Sequence, residues 1–124
     1  MARVLLVDDD GPMRLLLRKW LSEGGHTVVS CGDGAEAFER LVNDGFAYDI
    51  LLTDWKMPRL DGEELVRRVR ARAPDLRVVV LSGSDRCRWP IDLEVDAFLS
   101  KPFDLASLLA LVGPLASRVP APAA

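Results

Sequence analysis

Five short apolar runs, alternating with segments of helical period, predict an α/β fold: one open, doubly wound parallel sheet with helices on both faces. Three observations carry this. The runs at 3–7 (RVLLV), 27–31 (TVVSC), 49–53 (DILLT), 77–81 (RVVVL) and 96–99 (DAFL) are rich in Val, Ile and Leu, as suits strands covered on two sides. Most segments between them repeat apolar residues at helical spacing. The chain has 124 residues, 49% of them hydrophobic, enough for one domain with a core that needs no staples.

After the first run, Met13, Leu16, Leu17, Trp20 and Leu21 fall on one helical stripe, which makes Trp20 a core residue. Pro12 suits the first helical position, Asp10 the positive end of the helix dipole, and "EGG" at 23–25 the stop. Phe38, Leu41 and Val42 give a second stripe, opened by Asp33 and Glu36 at capping-box spacing. Leu65, Val66 and Val69 give a third, closed by "APD" at 73–75, with the arginines at 67, 68, 70 and 72 read as its solvated face. A last stripe holds Leu105, Leu108, Leu109 and Val112, with Asp104 as N-cap. Between the fourth and fifth runs, "GSDRCRWPIDLEVDAFLS" has no clear stripe and is interrupted by Pro90. Proline inside a helix costs about 3 kcal/mol or more, so a short or irregular element is expected there in place of a full fourth helix. Right-handed crossovers then favour a flavodoxin-like strand order, 2-1-3-4-5. Residues 1–117 form the domain in this reading, and the Pro/Ala-rich 118–124 a tail or linker.

Bulk properties exclude several classes. The net charge is −3 with no Lys/Arg run, which argues against direct nucleic-acid binding. Cys31 and Cys87 form neither a CxxC motif nor a disulfide framework, and read as reduced thiols of a cytoplasmic protein. No apolar stretch approaches the roughly 20 residues a membrane helix needs, and "MARVLLVDDD" is not a signal peptide, so no membrane insertion is expected.

In sheets of this kind the functional crevice lies beyond the carboxyl ends of the strands. Asp8, Asp9 and Asp10 follow the first strand, Asp54 the third, Ser82 the fourth and Lys101 the fifth. Carboxylates gathered so closely raise one another's pKa unless a cation intervenes. Hard oxygen ligands without His or Cys suit Mg²⁺. One such carboxylate can act as nucleophile toward phosphorus, with metal, lysine and hydroxyl neutralising the transferring group. The pattern therefore predicts a magnesium-dependent phosphoacceptor site.

These residues also carry a family resemblance. "LLVDDDGPMR", "LLTDWKMPRLDG", "LSGS" and "LSKPF" stand at strand ends, in the order found in response-regulator receiver domains of two-component signalling, and the chain resembles that family over nearly its whole length. The resemblance implies that Asp54 is the phosphorylated residue. It also implies that Asp8 and Asp9 hold Mg²⁺ together with Asp54 and the backbone carbonyl of Lys56, and that Ser82 and Lys101 contact the phosphoryl group. Pro102 would follow a cis peptide bond, and Phe98 would be the aromatic switch that turns inward when the Ser82 hydroxyl moves. Asp10 stays structural. The implied donor is a histidine kinase or histidine phosphotransfer domain, which leaves His26 an ordinary residue, and the downstream protein is unspecified. No kinase, DNA-binding or effector motif is present, so the expectation is a stand-alone receiver or a segment of a hybrid kinase. Such a chain is not an enzyme beyond its own phosphorylation and dephosphorylation.

Departures from the family pattern fall between Ser82 and Lys101, a stretch shorter than usual in which "EV" stands where "GA" commonly precedes the acid. Trp89, if exposed, would be a partner anchor. Trp55 is expected half-exposed at the site rim. Lys56, at the phosphate entrance, would tune the lifetime of the phosphorylated state. Two rival readings exist. In a haloacid-dehalogenase-type phosphohydrolase "DDDGPM" would make Asp8 the nucleophile and Asp10 the general acid, but Pro12 replaces Thr or Val and "DWKMPRLDG" goes unexplained. In a pseudo-receiver the fold would serve only for docking, although every expected position is filled.

Overall fold

The structure is a computed structural model that describes residues 2–83 and 88–117. Its elements run β1 (Arg3–Val7), α1 (Gly11–Glu23), β2 (Thr27–Cys31), α2 (Gly34–Asn43), β3 (Ile50–Asp54), α3 (Gly62–Arg72), β4 (Arg77–Ser82), β5 (Ala97–Ser100) and α4 (Leu105–Ser117). The five strands are parallel in the order β2-β1-β3-β4-β5, the flavodoxin-like order expected.

Alternation along each strand splits the core in two. Leu5, Val7, Leu51, Val78 and Val80 face α2 and α3, whose Ala37, Leu41, Leu65, Val66 and Val69 complete one layer. Val4, Leu6, Ile50, Leu52, Val79 and Leu81 face α1 and α4, meeting Leu17, Leu21, Leu108 and Val112. Both faces of the sheet are therefore covered, which is why its strands read as unbroken apolar runs. Trp20 is partly buried against the second layer, in line with its stripe.

Helix starts follow the sequence. Asp10, Asp33 and Asp61 cap α1, α2 and α3, accepting from the backbone N–H of Met13, Glu36 and Glu64. Asp104 does the same for α4 through Ser107 N–H at 2.8 Å. The box at α2 is offset, since Glu36 Oε2 accepts from Gly32 N–H at 3.0 Å rather than from the cap residue itself. Pro114 lies inside α4, near its C-terminal end, so proline alone does not rule out a helix in this chain.

Among the described residues no α-helix joins β4 to β5, although Arg88 has 3₁₀ geometry; residues 84–87 of that connection lie outside them. Residues 88–96 run irregularly and are tied to α3. Arg70 donates to Glu94 O at 3.0 Å and to Asp96 Oδ2 at 3.3 Å, while Arg67 pairs with Asp92 at 3.4 Å. Arg70 also donates to Pro74 O and Leu76 O at 3.0 and 2.7 Å. The arginines of α3 are thus not simply a solvated face. Arg70 is a clamp, Arg68 and Arg72 lie over the Phe38 ring, and Arg72 also covers Phe46.

Candidate functional site

Three strand ends and the turn after β1 meet at one edge of the sheet. Asp8 is fully buried, and its backbone N–H extends the β1–β2 ladder to Cys31 O at 3.2 Å. Its Oδ1 accepts from Asp10 N–H at 2.9 Å, while its Oδ2 is buried without a hydrogen-bond partner among the described residues. Asp9 is exposed beside it. Ligand oxygens of Asp8, Asp9 and Asp54 all lie within 4.8 Å of one another. Asp10 turns away to cap α1, which matches its structural assignment and removes it as a general acid.

Asp54 ends β3, where Oδ1 accepts from Trp55 N–H at 3.0 Å and from Lys101 Nζ at 3.1 Å. Its side chain keeps 12% of its surface exposed, so it is open to an incoming group. Burial pushes the carboxyls of both Asp8 and Asp54 above the usual carboxylate range. The Asp10 backbone N–H opposes this at Asp8, and Lys101 opposes it at Asp54. Two buried acids beside a third, one buried oxygen lacking a partner, and a donor set made only of carboxylate oxygens fit a hard divalent cation such as Mg²⁺.

Ser82 and Lys101 arrive through strand register. Ser82 ends β4 opposite Ser100, and Lys101 N–H donates to Ser82 O at 2.8 Å. Ser82 is buried, and its hydroxyl has no hydrogen-bond partner among the described residues. The Lys101–Pro102 peptide is cis, as the resemblance implied.

The loop from Trp55 to Asp61 is held by close backbone contact. Gly62 N–H donates to Trp55 O at 2.7 Å, and a Cβ on Gly62 would lie 2.2 Å from Asp54 O. Gly34 packs as tightly on Leu60 O, where a Cβ would stand at 2.1 Å, and Arg59 pairs with Asp33 at the start of α2. Only glycine permits these approaches.

Two tryptophans depart from expectation. Trp55 is 2% exposed and lies in the core instead of at the rim. Trp89 is half-buried rather than a free anchor: its ring meets Trp55 edge-on at 5.0 Å and Phe98 at 5.7 Å, and its Nε1 donates to Leu93 O at 2.8 Å. The outer face of Trp55 is covered by Lys56, whose Nζ sits 4.4 Å from the ring centroid. His26 is remote from the acids and accepts from Ala2 N–H through Nδ1 at 3.1 Å. Cys31 is buried, its thiol pushed up to about 11, and is unsuited to thiolate chemistry.

Sequence reasoning gave no part to Arg14, whose Nη1 donates to Asp8 O at 2.7 Å. An arginine one turn into α1, just after the acidic turn, was the available signal.

Residues 4–113 match the family model described as the response regulator receiver domain. The chain belongs to that family. As a receiver domain it is 41% identical over 119 residues to "Response regulator MprA" of Mycobacterium ulcerans, covering 94% of this chain and 50% of that protein. It therefore spans about half the length of the curated relatives it matches. Among solved structures, the receiver domain of a Francisella response regulator superposes with TM-score 0.85 at 31% identity, covering 97% of this chain and 100% of that one. The Vibrio cholerae chemotaxis protein CheY4 superposes with TM-score 0.82 at 26% identity, covering 93% and 98%. A phosphohydrolase of the dehalogenase type is set aside by this membership. Among the described residues of the receiver domain, no helix is long and apolar enough to cross a membrane.

Proposed function

We propose that this receiver domain takes a phosphoryl group onto Asp54 from a phosphohistidine of a kinase or phosphotransfer domain, in the cytoplasm. The observation carrying this reading is the meeting of Asp8, Asp9 and Asp54 within 4.8 Å, with Lys101 Nζ 3.1 Å from Asp54. A carboxylate oxygen of Asp54 attacks phosphorus, an O–P bond forms, and the P–N bond of the donor histidine breaks. Asp8, Asp9, Asp54 and the backbone carbonyl of Lys56 would hold Mg²⁺, which supplies charge neutralisation for the transferring group. Lys101 gives a second positive charge at the same face, already aimed by strand register and so preorganised. The Ser82 hydroxyl, buried without a partner among the described residues, donates to a phosphoryl oxygen once one arrives.

In reaching for that oxygen Ser82 would move and free space at the end of β4, and Phe98 on β5 would turn toward it. Trp89, edge-on to both Phe98 and Trp55, must shift with it. A downstream protein reads this two-state change. Lys56, packed on Trp55 at the entrance, sets how readily water reaches the acyl phosphate. The domain catalyses only its own phosphorylation and dephosphorylation.

Mass spectrometry after incubation with acetyl phosphate and Mg²⁺ tests the reading. An adduct of about 80 Da, one phosphoryl group, is expected on the wild type and absent from Asp54→Asn. Label on Asp8, or none on the wild type, would refute it; the second result is what a docking-only pseudo-receiver predicts.

A further inference from the structure

Asp8 is held at three points. Its N–H bonds Cys31 O, its Oδ1 accepts from Asp10 N–H, and its carbonyl accepts from the Arg14 guanidinium at 2.7 Å. The carbonyl bond is the unusual one. The β1–β2 ladder ends at the Asp8 N–H, and the C=O that joins Asp8 to Asp9 would otherwise lack a strand partner among the described residues. Arg14 reaches back from the first turn of α1 to fill that role. The peptide plane it fixes is the one linking the two neighbouring acids of the site.

We infer that Arg14 is a positioning residue for magnesium: by holding the Asp8–Asp9 peptide it sets the direction of both carboxylates before the ion arrives. The inference rests on the magnesium reading of the acidic cluster. It predicts a sign opposite to that of simple Coulomb attraction. A guanidinium bonded to the backbone of the acidic turn repels a divalent cation, so deleting it should tighten binding if charge alone mattered. If Arg14 positions the acids, deleting it weakens binding, on the order of tenfold, the low end of what loss of an outer partner of a metal ligand costs.

The test is Mg²⁺ titration by calorimetry on the full chain, as wild type, Arg14→Met, Arg14→Gln and Asp9→Asn. Hydrogen exchange at the Asp9 and Asp10 amides is read without metal. Weaker Mg²⁺ binding in Arg14→Met, faster exchange at those amides, and an acetyl phosphate labelling rate that recovers at saturating Mg²⁺ support the inference. Affinity equal to or tighter than wild type, or a lowered maximal rate with affinity unchanged, overturns it. Should Arg14→Met fail to fold, Arg14→Gln is judged by the same criteria. A wild type that binds no Mg²⁺ refutes the parent reading and this inference with it; a wild type that binds, beside Arg14 variants that bind equally, refutes this inference alone.

Discussion

Lys101 Nζ and Asp54 Oδ1 are 3.1 Å apart, a bond from the end of β5 to the end of β3 across the intervening β4. Among the described residues it is the one contact in which a cation meets the carboxylate proposed as nucleophile. Burial works against it, keeping the Asp54 carboxyl above its ordinary range.

A pH dependence follows. A carboxyl whose folded pKa is raised binds its proton more tightly folded than unfolded. The metal-free domain thus loses stability from Asp8 and Asp54 as pH rises through their raised values, and regains it in full below the unfolded value. Melting curves without Mg²⁺ should show wild type gaining on Asp54→Asn as pH falls from neutral toward the carboxylate range. A difference independent of pH would contradict this.

Gly62→Ala should cost about 2–3 kcal/mol, the upper range for overpacking, because the new methyl meets Asp54 O at 2.2 Å and backbone has little room to yield. Acetyl phosphate labelling of Asp54 should fall with it. Urea melts and mass spectrometry check both effects, and an unchanged midpoint would show that the loop yields freely.

Arg70→Lys should destabilise by about 1–2 kcal/mol, since an ammonium cannot serve Pro74 O, Leu76 O and Glu94 O through one planar fork. Hydrogen exchange should rise in residues 88–96 more than in β1 or β2. Uniform acceleration across the sheet would argue against a local clamp.

Trp89→Ala should cost about 2 kcal/mol, less than a fully buried aromatic because the ring is only half covered. It should also move the Trp55 emission to longer wavelength as water reaches that ring. Unaltered emission would mean that Trp89 does not seal Trp55.

Much of this was legible from sequence because burial on both faces leaves unbroken apolar runs, and parallel strands put their C-terminal residues on one edge. Asp8, Asp54, Ser82 and Lys101 each stand at a strand end, and the parallel sheet brings them to one edge. What the sequence does not display depends on partners distant along the chain. Trp55 is buried because Trp89 packs on it from the β4–β5 connection, a segment with no periodic pattern of its own. Arg70 and Arg14 bond chiefly to backbone carbonyls, which carry no side-chain signature, so a clamp and a positioning group look in sequence like any exposed arginines. Pro114 shows the converse: a strong local signal overridden near a helix end.

The sheet order has a consequence for synthesis on the ribosome. The carboxylates after β1 and at the end of β3 emerge well before Lys101, which follows β5, so a nascent chain holds the three acids before it holds the ammonium that bonds Asp54. Until the last strand docks, the proposed nucleophile lacks the ammonium that the finished sheet sets 3.1 Å from it, so the full charge complement of the site is completed only at the end of synthesis.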